Sequence, residues 1–129
     1  MVYLWTINYM VKKRKNIKKT ILVTGGSGFI GSNITKYLIK KKFKVVVFDN
    51  NSRGKLSRLK DEKNKFIFIK GDIRNRKKLN SIKIKIDTVI HLAYINGTKF
   101  FYKKPFEILD IAVNGLLNVL DFCKTNKVK

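Results

Sequence analysis

The sequence predicts an α/β fold, a doubly wound, mainly parallel sheet truncated after about four strands. Three observations carry that prediction. Apolar β-branched runs alternate with helical patterns in the order β-α-β-α-β-α-β-α, which calls for right-handed crossovers between parallel strands. The runs lack the period-two alternation of a half-exposed strand, as expected when helices cover both faces of a sheet. The first run breaks into glycines spaced Gly25-x-x-Gly28-x-x-Gly31 and then opens a helix, the arrangement in which a backbone loop can hold phosphates.

The elements follow in order. Lys19–Thr24, "KTILVT", is a short β-branched run ended by glycine, hence a buried strand. From Phe29 to about Lys41, apolar Ile30, Ile34, Tyr37 and Leu38 recur at helical spacing. Phe43–Asp49, "FKVVVFD", is a second buried strand, and Asn50–Gly54 is turn chemistry with room for one helical turn after it. Lys65–Asp72 reads as a third strand, "RNRKKLNSI" as a short polar helix and Asp87–Ala93 as a fourth strand. A loop, "YINGTKFFYKK", then leads to Pro105, which suits the first turn of a helix running to about Lys124. Phe106, Leu109, Val113, Leu116 and Leu120 are the expected apolar face of that helix. Residues 1–18 form a basic extension and residues 19–129 one incomplete domain, although Met10 would also make a natural start.

In the glycine loop the first glycine permits the tight turn, the second lets backbone approach a pyrophosphate, and the third lets helix pack close to strand. The helix start adds free N–H groups and the positive end of its dipole. Asp49 ends the next strand, where an acid bonds the ribose hydroxyls of adenosine and repels a 2′-phosphate. NAD is therefore expected over NADP, with Arg53 the one nearby group suited to a phosphate. The fold is Rossmann-like. A Walker A loop would need Gly-Lys-Ser/Thr where this chain has "GFIGSN", so triphosphate hydrolysis is not expected.

At this point the chain resembles a family, the extended short-chain dehydrogenase/reductases in their NAD-dependent nucleotide-sugar epimerase/dehydratase branch. The stretches that carry the resemblance are "VTGGSGFIGS" (Val23–Ser32), "VFDNNSRG" (Val47–Gly54), "KGDIRN" (Lys70–Asn75), "VIHLAY" (Val89–Tyr94), Pro105 and "NGLLNVLD" (Asn114–Asp121). By that resemblance Gly25, Gly28 and Gly31 form the pyrophosphate loop, with Phe29 and Ile30 offering backbone N–H groups. Asp49 and Asn50 contact the adenosine ribose. Asp72 and Ile73 flank adenine, the acid accepting from its amino group. Leu92, Ala93 and Tyr94 line the nicotinamide-ribose side. Read from the residues alone, Asp72 is also a helix-cap candidate, and Leu92 and Ala93 are core candidates. Two positions depart from the family pattern: Tyr94 stands where a second alanine is usual, and Ala112 where an asparagine is frequent.

The resemblance further implies that the full-length protein acts on a nucleotide sugar by transient hydride transfer to NAD. A Tyr-x-x-x-Lys pair serves as base, its tyrosine made competent by the lysine, and a Ser or Thr orients the sugar. In the family these groups follow the fifth strand, beyond the position of Lys129. Two Tyr-x-x-x-Lys matches do occur, Tyr9 with Lys13 and Tyr37 with Lys41. With lysine supplying 25 of the 30 basic residues and five tyrosines present, about one match is expected by chance. No catalytic residue is assigned, and the chain alone is expected to be inactive. A homodimer through the 105–124 helix is implied as a partner arrangement.

A formal net charge of +22 attracts nucleic acid, anionic surfaces and phosphorylated metabolites alike. Lys, Asn and Ile are abundant together, as AT-rich codons would make them, so nucleic acid is not the expected partner. One cysteine, Cys123, excludes an internal disulfide and a paired-cysteine metal site, and it is expected to pack on the last helix. No apolar run approaches the roughly 20 residues a membrane span needs. The apolar start precedes its basic run, the reverse of a secretory signal, and the cytoplasm is the default location. Two other readings stay open: a short NAD-binding module completed by a partner chain, and a basic protein stacking bases on "KFFYKK" (Lys99–Lys104).

Overall fold

The computed structural model describes residues 18–129. The basic extension ahead of Lys18, Met10 and the Tyr9–Lys13 match lie outside the described residues. The elements are β1 (Thr20–Thr24), α1 (Phe29–Lys40), β2 (Lys44–Asp49), a 3-10 segment (Leu56–Glu62), β3 (Ile67–Lys70), α2 (Arg76–Asn80) and β4 (Thr88–His91). They continue as α3 (Thr98–Lys103), α4 (Pro105–Asp110), a π turn (Ile111–Gly115) and α5 (Leu116–Thr125). The four strands form one sheet of order β3-β2-β1-β4. Every pairing is parallel, with Val23 beside Val47 and Ile90.

The absence of alternation in β1 and β2 has its cause in two apolar layers. On one face Leu22, Val46 and Phe48 pack with Ile73, Leu79, Ile86, Val119 and Phe122. On the other Ile21, Val23, Val45 and Val47 pack with Leu38 and Leu59. Both side-chain sets of these strands are thus removed from water, each Val or Leu contributing about 1.5–3 kcal/mol of transfer free energy. β4 lies at the sheet edge, its other side unpaired among the described residues.

Three expectations are corrected. The helix α1 does bury Leu38 and half-bury Ile34, but Ile30 and Tyr37 are exposed. Gly31, Ser32 and Thr35 take the inner positions, because the helix start lies too close to the glycine loop for large side chains. The segment after β4 is not loop throughout, since Thr98–Lys103 is helical. In the last helix Phe106, Leu109, Val113, Leu116 and Leu120 all point outward, from 41% to 86% exposed. The buried side carries Ile108, Ile111, Gly115, Val119 and Phe122 instead. Both stripes recur at helical spacing, and contact with the sheet selects between them. Cys123 is half-buried and packs against the inner layer.

Candidate functional site

The carboxyl ends of β1, β2, β3 and β4 converge on a cleft lined by Gly25, Gly28, Asp49, Asn50, Asp72, Ile73, Leu92, Ala93 and Tyr94. These nine residues, expected from the sequence to meet a ligand, are brought together there. Phe29, Ile30 and Gly31 form the first turn of α1 beside it; the Phe29 and Ile30 side chains are 77% and 63% exposed. Phe48, Ser52, Arg53, Gly54, Gly71, Ile95 and Ile111 complete the lining. Ile95 and Ile111 carried no sequence signal, and Ile111 comes from a helix some 60 residues downstream of Asp49.

Gly25 takes φ +72°, and its N–H donates to the Phe48 carbonyl at 2.9 Å while its own carbonyl accepts from Gly28 N–H at 3.1 Å. A Cβ on Gly31 would lie 2.1 Å from the Gly25 carbonyl oxygen, so only glycine lets α1 start against this turn. The first intrahelical bond is Ser32 N–H to Gly28 carbonyl, 2.9 Å, and no side chain caps the helix. The N–H groups of Phe29, Ile30 and Gly31 therefore have no intrahelical acceptor. That is the backbone chemistry an anion requires.

Asp49 is 8% exposed. Its carboxylate accepts Ser27 N–H at 3.0 Å on one oxygen and Asn51 N–H at 2.8 Å on the other. One acceptor position remains on each oxygen, sufficient for a pair of vicinal hydroxyls. Asp72 is bonded differently. One of its oxygens accepts from Arg74 N–H (2.9 Å) and Nε (3.0 Å), and the other from Arg74 Nη2 (2.8 Å) and Asn50 Nδ2 (3.0 Å). Arg74 foremost, with Asn50, thereby holds Asp72 down at about 2 against its burial. The Asp72 carboxylate in turn raises the already high affinity of Arg74 for its proton. The Ile73 N–H has no partner among the described residues.

On the far side Thr24, fully buried, accepts N–H groups of Leu92 (3.2 Å) and Ala93 (3.3 Å). The Leu92 N–H is shared with the Thr24 carbonyl at 3.0 Å, and Thr24 Oγ1 is also hydrogen-bonded to His91 Nδ1 at 2.6 Å, in a direction set by the tautomer of the ring. Burial pulls the His91 pKa down. Arg53 donates to the Asn96 carbonyl and lies 5.1 Å from the centre of the Phe100 ring, joining the loops after β2 and β4. Tyr37 on α1 and Lys41 at its C-cap stand together, Lys41 Nζ 5.6 Å from the centre of the Tyr37 ring, and neither lines the cleft. Among the described residues no group of three His, Cys, Asp or Glu is placed to hold a metal. No helix there is long and apolar enough to cross a membrane.

Similarity to known proteins agrees with this arrangement. The chain is 40% identical over 115 residues to the bifunctional protein GAL10 of Candida maltosa, covering 84% of this chain and 75% of that one. Its structure superposes on the Thermus thermophilus UDP-glucose 4-epimerase complex with NAD at TM-score 0.78 and 28% identity, over 85% of this chain and 35% of that one. With the Thermotoga maritima UDP-glucose 4-epimerase, solved with UDP-glucose, the TM-score is 0.80 at 30% identity, again over 85% and 35%. The chain thus spans about a third of the length of these solved relatives. The profile of the NAD dependent epimerase/dehydratase family runs over residues 21–129, and the chain belongs to that family.

Proposed function

We propose that this chain is the NAD-binding N-terminal portion of a nucleotide-sugar epimerase or dehydratase. The observation that carries the reading is one cleft in which a glycine-opened helix start faces two acids at successive strand ends. The residues suit the dinucleotide. The free N–H groups of Phe29, Ile30 and Gly31 would receive the pyrophosphate, and the open acceptor positions of Asp49 the adenosine ribose hydroxyls. Ile73 N–H would meet a ring nitrogen of adenine. Asn50, now donating to Asp72, would turn toward the ribose and leave that lone pair to the adenine amino group. Leu92, Ala93 and Tyr94 would border the nicotinamide ribose. Bound NAD supplies a hydride acceptor; the chain's own part is to orient it and exclude water from its adenine half.

The sugar-facing base and the hydroxyl that orients the sugar are proposed to lie outside this chain, since Tyr37 and Lys41 are remote from the cleft. A nucleotide-sugar substrate is supported by the Thermotoga neighbour, solved with UDP-glucose. The exposed stripe of Phe106, Leu109, Val113, Leu116 and Leu120 supports a homodimer through the last helix, and the family's chemistry fits a cytoplasmic enzyme. Calorimetry tests the central claim: NAD should bind the purified chain more tightly than NADP, and Asp49→Ala should weaken NAD at least tenfold. Equal affinity for both cofactors, unchanged in Asp49→Ala, would refute it.

The second reading, a short NAD-binding module completed by a partner chain, is favoured by the open edge of β4, where a further parallel strand would pair. The coding DNA beyond the Lys129 codon discriminates. A strand ending in Ser or Thr followed by Tyr-x-x-x-Lys supports the first reading, and a stop with nothing similar downstream supports the second.

A further inference from the structure

We propose that Asn118 is a positioning residue for the segment that reads adenine, Asp72–Ile73; the proposal rests on the NAD reading above. Between the end of β3 at Lys70 and the start of α2 at Arg76 this segment has no sheet partner. Besides Asn50 Nδ2 on the Asp72 carboxylate, its long-range bonds come from the last helix. The two N–H bonds of the Asn118 carboxamide reach consecutive carbonyls, Ile73 and Arg74, at 3.0 Å each. One turn earlier Gly115 lies directly under Ile73, where a Cβ would meet Ile73 Cδ1 at 2.4 Å. Asp110 completes the attachment by accepting from Arg74 Nη1 at 3.2 Å, and Arg74 is the residue that grips the Asp72 carboxylate.

The π turn between Asp110 and Asn118 makes this grip possible. Eight residues apart, the two would stand about 80° from one another around a regular α-helix. The π turn at Ile111–Gly115 takes up one extra residue, which brings them to within about 20°, on one side. Both then face the same short segment from positions two turns apart. Asn118 does not line the cleft; it acts through the Ile73 N–H and the Asp72 carboxylate.

The test compares NAD with nicotinamide hypoxanthine dinucleotide, which carries a carbonyl in place of the amino group and an N–H at the neighbouring ring nitrogen. Both adenine contacts of the segment are lost with it, and nothing else changes. By calorimetry the wild-type chain should prefer NAD about tenfold, the ratio that the modest net strength of ordinary hydrogen bonds implies. Asn118→Ala should reduce the preference to about twofold or less while pyrophosphate and ribose binding persist. A purely structural role would instead weaken both dinucleotides alike and leave the ratio unchanged. Should Asn118→Ala fail to fold, Asn118→Leu decides, because it keeps the size of the side chain, is no worse a helix former and loses both N–H donors to the Ile73 and Arg74 carbonyls; about a threefold fall in the ratio is expected. A ratio unchanged in the deciding variant overturns the proposal alone. So does a wild-type chain that binds both dinucleotides equally well. A wild-type chain that binds neither overturns the cofactor reading and this proposal with it.

Discussion

Gly31→Ala and Gly28→Ala should fail in different ways, although both change one glycine of the same loop. At Gly31 the added methyl would sit 2.1 Å from the Gly25 carbonyl oxygen, 2.8 Å from Gly26 Cα and 2.9 Å from the Gly25 carbonyl carbon. All three neighbours are backbone, and Gly25 is pinned by its bonds to Phe48 and Gly28. The start of α1 must therefore lift by about 1 Å to restore ordinary contact. Overpacking of this kind costs roughly 1–3 kcal/mol or more, against a gain of at most about 1 kcal/mol from alanine in a helix. A net loss near 2 kcal/mol corresponds to a fall in Tm of roughly 5–10 °C for a chain of this size. At Gly28 the methyl would meet only the Gly25 carbonyl oxygen at 3.1 Å. Its backbone, φ −66° and ψ 177°, is open to any residue. Gly28→Ala should melt within about 2 °C of wild type, yet place a methyl where a pyrophosphate must approach and weaken NAD at least tenfold. Thermal denaturation followed by circular dichroism, with calorimetry of NAD binding, reads both effects. A Gly31→Ala chain as stable as wild type, or a Gly28→Ala chain with full NAD affinity, would refute the packing account of the loop.

Further outcomes follow from the same contacts. Burial lowers the His91 pKa below its ordinary 6.5, so its contribution is complete above about pH 6.5. It is lost as pH falls from there through the lowered folded value, because the unfolded chain takes up the proton first; Tm measured between pH 8 and 5 should decline less in His91→Gln. Asp72 has a folded pKa of about 2 against an ordinary 3.8, so its stabilisation is present above 3.8 and lost as pH falls from 3.8 to about 2. Arg74→Gln should raise the pH midpoint of acid unfolding. Thr24→Val removes the side-chain acceptor of Ala93 N–H and the hydroxyl bonded to His91, while Leu92 N–H keeps the Thr24 carbonyl at 3.0 Å; chemical denaturation should show a loss of about 1–3 kcal/mol. Leu116→Lys on the exposed stripe should convert a dimer to monomer in sedimentation velocity, and a wild-type monomer at tens of micromolar would remove the dimer proposal.

The alternation of strands and helices, the glycine turn and the placement of Asp49 at a strand end were legible because each depends on spacing within about 30 residues. A run with no alternation means a strand covered on both sides, and a glycine triplet between strand and helix means a tight turn onto a helix start. Asp72 and Ile73 were legible as candidates through their motif, but not what surrounds them. The bonds from Asp110 and Asn118 to Arg74 and Ile73 join positions 36 to 45 residues apart, and only the order of the sheet brings those segments together. The last helix makes the division plainest. Its sequence carries two apolar stripes two residues out of phase, and helical periodicity ranks neither above the other. Packing against Leu22, Phe48 and Ile73 chose the stripe with Gly115 in it, because a side chain at that position would collide with Ile73. The stripe of Phe106 and Leu120 was thereby turned outward, and the π turn set which polar residues reach the adenine-reading segment.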